Sequence, residues 1–121
     1  MEDIKKTEIV PLEKEENVTE LVTNASVYIH KFEKPYTYED KTYTEMTFNF
    51  ENLRGTDLVA IENEMAAVGQ YAISPEISTA FLYRLAARAA GVGSDVIESL
   101  PIKEFGKIKN KSRDFLIDTG F

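Results

Sequence analysis

Two stretches near the start of the second quarter of the chain carry a strand signature. Ser26–Phe32 (SVYIHKF) is β-branched and aromatic, and Thr42–Phe50 (TYTEMTFNF) alternates with period two. In the second run Met46, Phe48 and Phe50 fall on one face, with Tyr43, Glu45, Thr47 and Asn49 on the other. The intervening EKPYTYEDK holds Pro35 and a Glu39-Asp40-Lys41 turn, so the pattern predicts an antiparallel hairpin over about 26–50 with one buried face.

Beyond residue 56 the period changes to that of a helix. Helices are predicted over about 57–68, 75–90, 94–100 and 102–117. Thr56-Asp57, Ser74-Pro75-Glu76 and Ser94-Asp95 each place a hydroxyl before a first-turn acid, the pattern of an N-terminal cap. Gly69 and Gly91 stand where left-handed stops are needed. In 57–68 the stripe is Leu58, Ile61, Met65 and Val68. In 102–117 it is Ile102, Phe105, Ile108, Phe115 and Leu116, opposed by Lys103, Lys107, Asn110 and Lys111. The 75–90 segment is apolar nearly all round: Ile77, Phe81, Leu85 and Ala89 are its bulky side, Ala80, Ala87 and Ala90 its flat side. Only Arg84 and Arg88 mark a wet sector, so this helix is expected at the centre. The fold class is α+β, an N-terminal antiparallel β-hairpin packed on a small bundle of three to four helices.

Residues 1–25 mix Glu and Lys without periodicity, and Pro11 interrupts the patch Ile9, Val10 and Leu12. They are read as an acidic, flexible extension before a single domain at 26–121. Within 121 residues of net charge −7 the charge is uneven. Residues 1–20 hold seven acids against three bases, and residues 101–113 hold five bases against Glu104. The overall sign argues against a nucleic-acid partner, which requires a basic surface. Cysteine is absent, so no disulfide or thiolate metal site is available. No apolar run nears the ~20 residues of a membrane helix. MEDIKKTEIV lacks the apolar core of a signal peptide, and a cytoplasmic location is expected.

The order of parts resembles a known family. Lys34-Pro35 lies between the strands, Thr56-Asp57-Leu58 opens a helix, and Phe81–Ala87 reads Phe-Leu-x-x-Leu-Ala-Ala before Ala90-Gly91. Val96-Ile97 and Leu100 then precede a last helix with Phe115-Leu116. This resembles the tail assembly chaperones of long-tailed bacteriophages and prophages. The resemblance implies binding of the tape-measure protein before the tail tube polymerises and absence from the finished virion; the tail tube protein is a further candidate partner, and the apolar 75–90 helix leaves room for self-association. The alternative expectation is a structural tail completion or connector subunit.

The residues offer no catalytic constellation. His30 is the only histidine and sits in a strand. Gly91-Val92-Gly93 follows a helix and has Val96 where a dinucleotide loop needs a third glycine. Glu62 and Glu64 are two positions apart and diverge on a helix. No enzyme, cofactor or metal is therefore expected. What remains is apolar surface: Tyr71 and Ile73 between two helices, and Phe115, Leu116 and Phe121 near the C-terminus, the candidate partner-binding residues.

Overall fold

The computed structural model of the chain describes residues 26–121; the expected extension at 1–25 lies outside the described residues. Two antiparallel strands, β1 (Val27–Tyr38) and β2 (Lys41–Asn49), lead into a 3-10 turn at Phe50–Asn52. Four α-helices follow: α1 (Gly55–Ala67), α2 (Thr79–Ala90), α3 (Ser94–Glu98) and α4 (Ile102–Asp118), with a second 3-10 turn at Pro75–Ile77. The α+β class and the hairpin-then-helices order match the reading of the sequence.

Met46, Phe48 and Phe50 all face the core, as period two dictates. The first strand, however, runs on through Pro35. Pairing passes from Lys31 with Glu45 to Tyr36 with Tyr43, so β1 advances five residues while β2 advances two. Pro35 has no N–H to give a ladder, and the irregularity absorbs it. Tyr43, expected on the outward face, is partly buried and packs against the core. The turn is at Glu39-Asp40, where Glu39 takes a left-handed φ of 56°.

Hydroxyl capping falls on a different residue from those expected. Arg54 precedes α1, and its backbone amide donates to Asp57 Oδ2 at 2.8 Å, so the acid rather than Thr56 secures the first turn. Ser74 opens only the 3-10 turn, and Ser78 caps α2 by accepting from the Phe81 amide at 3.2 Å. The helix predicted from 75 therefore breaks at Ser78, leaving Ile77 exposed rather than on the bulky side. Gly93, not Ser94, precedes α3. The stops are as expected: Gly69 and Gly91 have φ of 77° and 71°, and the Val92 amide closes on Ala87 O at 3.0 Å.

Helix α2 is central, touching α1, α3, α4 and β2. Phe81, Leu82, Leu85, Ala86 and Ala87 are all buried. The hairpin lies along the helices and is fastened at three levels. At its root the Phe50 and Phe115 rings stack with centroids 5.2 Å apart. In the middle His30 meets Glu104 on α4. Near the tip Tyr36 donates to Ser99 O at 2.9 Å and Tyr38 to Asp95 Oδ2 at 3.0 Å. Val68 and Ile102, expected on the buried stripes of their helices, are exposed at the helix ends, beyond the reach of the core.

Candidate functional site: an apolar cleft at the bundle end

An open cleft of about 250 Å³ is lined by the start of α1 and the end of α4. Its apolar walls come from Leu53 and Leu58 on one side and Phe115, Leu116 and Phe121 on the other, with Phe81 and Leu85 of α2 among the lining residues. Each wall follows from local sequence. Leu53 ends the turn after β2 by donating its amide to Phe50 O, and Leu58 falls one turn into α1. Phe115 and Leu116 are the last apolar residues of the α4 stripe. Phe121 is drawn back by its amide, which donates to Leu116 O at 3.0 Å.

Charged residues, Arg54 and Asp57, border the cleft. Arg88 Nε donates to Asp57 Oδ1 at 2.7 Å. That bond, reinforced by the Arg54 amide, holds the Asp57 carboxyl below its ordinary value. Small-molecule sites usually enclose ~300–1,000 Å³. An open, smaller, apolar trough suits side-chain anchors of a macromolecular partner better than a metabolite.

The candidate residues do not form one surface. Phe115, Leu116 and Phe121 come together in this cleft. Leu116, at 2% exposed, contributes only through its floor, whereas Phe121 is 56% exposed. Tyr71 lines a separate shallow depression with Met65, Gln70 and Ala72. Ile73 is 98% exposed and borders neither. Leu53 and Leu58 were missed as site residues. Leu58 was read on the buried stripe of its helix and Leu53 falls in the link before it, yet both are only half-buried where they line the cleft.

Two polar clusters lie elsewhere. Arg84, expected in the wet sector of its helix, is 7% exposed. Its guanidinium donates to Glu64 Oε2 at 2.8 Å, Gln70 Oε1 at 3.3 Å and Ala80 O at 2.9 Å. Ser94 donates to the same Glu64 oxygen at 2.6 Å. Burial pushes the Glu64 carboxyl up, but the bonds from Ser94 and Arg84 outweigh it and leave the group below its ordinary value. Glu64 thus ties α1 to α2 and α3.

The second cluster is centred on His30, which is buried. Its Nε2 is hydrogen-bonded to Glu104 Oε1 at 2.6 Å and its Nδ1 to the Tyr28 hydroxyl at 2.8 Å. Burial, and then the Glu104 charge, push the Tyr28 phenol up. The Phe32 ring meets His30 edge-on at 4.9 Å. Every polar atom of the imidazole is occupied by protein, so the arrangement braces β1 against α4.

Among the described residues no helix is long and apolar enough to cross a membrane. Comparison with protein-family models, with curated proteins and with solved structures gives no match.

Proposed function

We propose that this chain is a non-enzymatic phage tail assembly chaperone that holds the tape-measure protein until the tail tube polymerises. The observation that carries the reading is the open apolar cleft between α1 and α4, on a domain whose polar clusters are spent on bracing. A long helical partner with apolar stripes aggregates when left bare. Anchors spaced along one helical face can enter a trough lined by Leu53, Leu58, Phe115 and Phe121. The net charge of −7 then keeps neighbouring complexes apart. Tube subunits displace the chaperone by competing for the same stripes, so it acts in the host cytoplasm and leaves before the virion is complete.

Co-expression with the tape-measure protein of the same phage tests this. The partner should pass from the insoluble to the soluble fraction and co-purify with the chain. Leu58→Ser with Phe121→Ser should abolish the rescue while circular dichroism stays unchanged. Purified tails should lack the chain. Its stoichiometric presence in mature particles would instead establish a structural tail subunit.

A further inference from the structure

The hydrogen-bond phase of the hairpin leaves the outer edge of β1 open beside a row of lysines. The Phe50 amide donates to Ser26 O at 2.7 Å, which makes these two a hydrogen-bonded pair of the ladder. Such pairs alternate in an antiparallel ladder, so Tyr28 with Phe48 and His30 with Met46 also turn their backbone groups toward each other. The N–H and C=O of Val27, Ile29 and Lys31 therefore point away from β2. No hydrogen bond reaches them from elsewhere among the described residues. Past Lys31 the irregularity around Pro35 interrupts the row. The open edge thus runs from Val27 to Lys31, ~17 Å at the rise of a strand.

Helix α4 lies along this edge. It packs on α2 and touches β1, while α2 lies against β2, so the exposed face of α4 opens beyond β1. Lys103 Nζ meets Glu33 Oε2 at 2.6 Å, Glu104 meets His30, and Lys111 Nζ stands 5.2 Å from the centroid of the Tyr28 ring. Ascending α4 therefore means descending β1. Lys103, Lys107 and Lys111, four apart on one helix face, flank the strand. The Lys103 bond and charge, then Lys107 and Lys34, hold the Glu33 carboxyl below its ordinary value, so several cations surround one acid. Lys107 and Lys111 form no ion pair among the described residues. Asp114 and Asp118 line a depression with Lys111 and end the basic run.

The two spacings agree. Residues four apart on a helix are ~6 Å apart along its axis. Alternate residues of a strand are ~6.8 Å apart, so a strand added at β1 presents every second side chain in step with Lys107 and Lys111. By the same phase the outer edge of β2 offers Glu45, Thr47 and Asn49, with an acid in place of lysines.

We propose that the outer edge of β1 binds an extended acidic segment of a partner protein as a third strand. The segment's backbone pairs with Val27, Ile29 and Lys31, and its alternate carboxylates face Lys107 and Lys111. Main-chain pairing supplies affinity, and the lysines select the sequence. The surface shares no residue with the apolar cleft, and the proposal is independent of the chaperone reading.

Fluorescence anisotropy of the full chain with a fluorescein-labelled peptide alternating Glu and Thr tests this. The peptide should bind at ~20 mM salt and weaken roughly five-fold or more at ~500 mM. N-methylating one alternate set of its amides should weaken binding roughly ten-fold or more, and N-methylating the other set should not, because an added strand turns only one row of amides to its neighbour. Ile29→Pro should weaken it similarly, since the N–H it removes is not a ladder donor. Thr47→Pro, the same change at the β2 edge, should not. Lys107→Glu with Lys111→Glu, at exposed positions, should abolish binding without touching the sheet. Equal binding of a peptide with its glutamates clustered, or equal loss from both N-methylated sets, would leave only diffuse charge attraction and overturn the proposal. So would absence of binding at ~20 mM salt, tighter binding of a DNA oligonucleotide of the same charge, or a dimer of the chain that Ile29→Pro dissolves.

Discussion

Leu116 and Phe121 border the same cleft, yet their predicted energetic roles are opposite. Leu116 is 2% exposed at the junction of α2 and α4. Leu→Ala at such sites costs about 2–5 kcal/mol, depending on how far the surroundings collapse. Here one side adjoins an open trough, and Phe115 and Phe121 can shift inward, so Leu116→Ala should cost about 2–3 kcal/mol. Phe121 is 56% exposed. A phenylalanine buries ~200 Å² when fully covered, so its covered fraction amounts to ~90 Å², or ~2 kcal/mol at 25 cal/mol/Å² as an upper bound. Ordering a terminal residue offsets ~1–2 kcal/mol of that. Phe121→Ala should therefore cost under ~1 kcal/mol. With a urea slope of ~1.5 kcal/mol/M, Leu116→Ala should lower the midpoint by ~1.3–2 M and Phe121→Ala by under ~0.7 M. Equal losses would refute the separation of floor from rim. A loss below ~0.5 kcal/mol for Leu116→Ala would show that the α4 terminus is not part of the core. The distinction decides which variants can test docking, because a Leu116 substitution that unfolds the domain abolishes binding trivially.

Three further outcomes are expected. Ser112 is fully buried and its hydroxyl has no hydrogen-bond partner among the described residues, so Ser112→Ala should stabilise the domain by about 1 kcal/mol, read as a higher urea midpoint. Glu104→Ala strands the Nε2 of His30 and should cost about 1–3 kcal/mol, while Glu104→Gln keeps an acceptor in place and should cost less; the reverse order would discredit the brace. Asp57, Glu64 and Glu33 all have carboxyls held below their ordinary values of 3.8, 4.5 and 4.5. Such groups contribute stability that is complete above the unfolded values and lost as pH falls through the folded ones. Urea midpoints should therefore drop as pH is lowered from about 4.5, and Arg88→Met should shrink that drop by releasing Asp57.

Local pattern determined much of this protein. Period two in Thr42–Phe50 set the buried face of β2, because alternate side chains of a strand must leave on opposite sides. Glycine at 69 and 91 set the helix ends, because the left-handed turn there excludes most side chains. The nearly all-round apolar character of 79–90, with only Arg84 and Arg88 to face water, set α2 at the centre.

Tertiary structure decided what depended on partners distant in sequence. Arg84 looked solvent-facing by helical phase, but Glu64, twenty residues earlier, supplies the charge that lets a guanidinium sit in the interior. His30 could have packed or faced water, and Glu104, 74 residues away, settled which. Of the candidate docking residues, Tyr71, Ile73 and Phe121 are exposed, Phe115 is half-covered and Leu116 is buried. Their apolar character was plain in the sequence. Their division into cleft floor, cleft rim and isolated surface was not, because it depends on the fold bringing Leu53 and Leu58 to one cleft with Phe115, Leu116 and Phe121, far away in sequence.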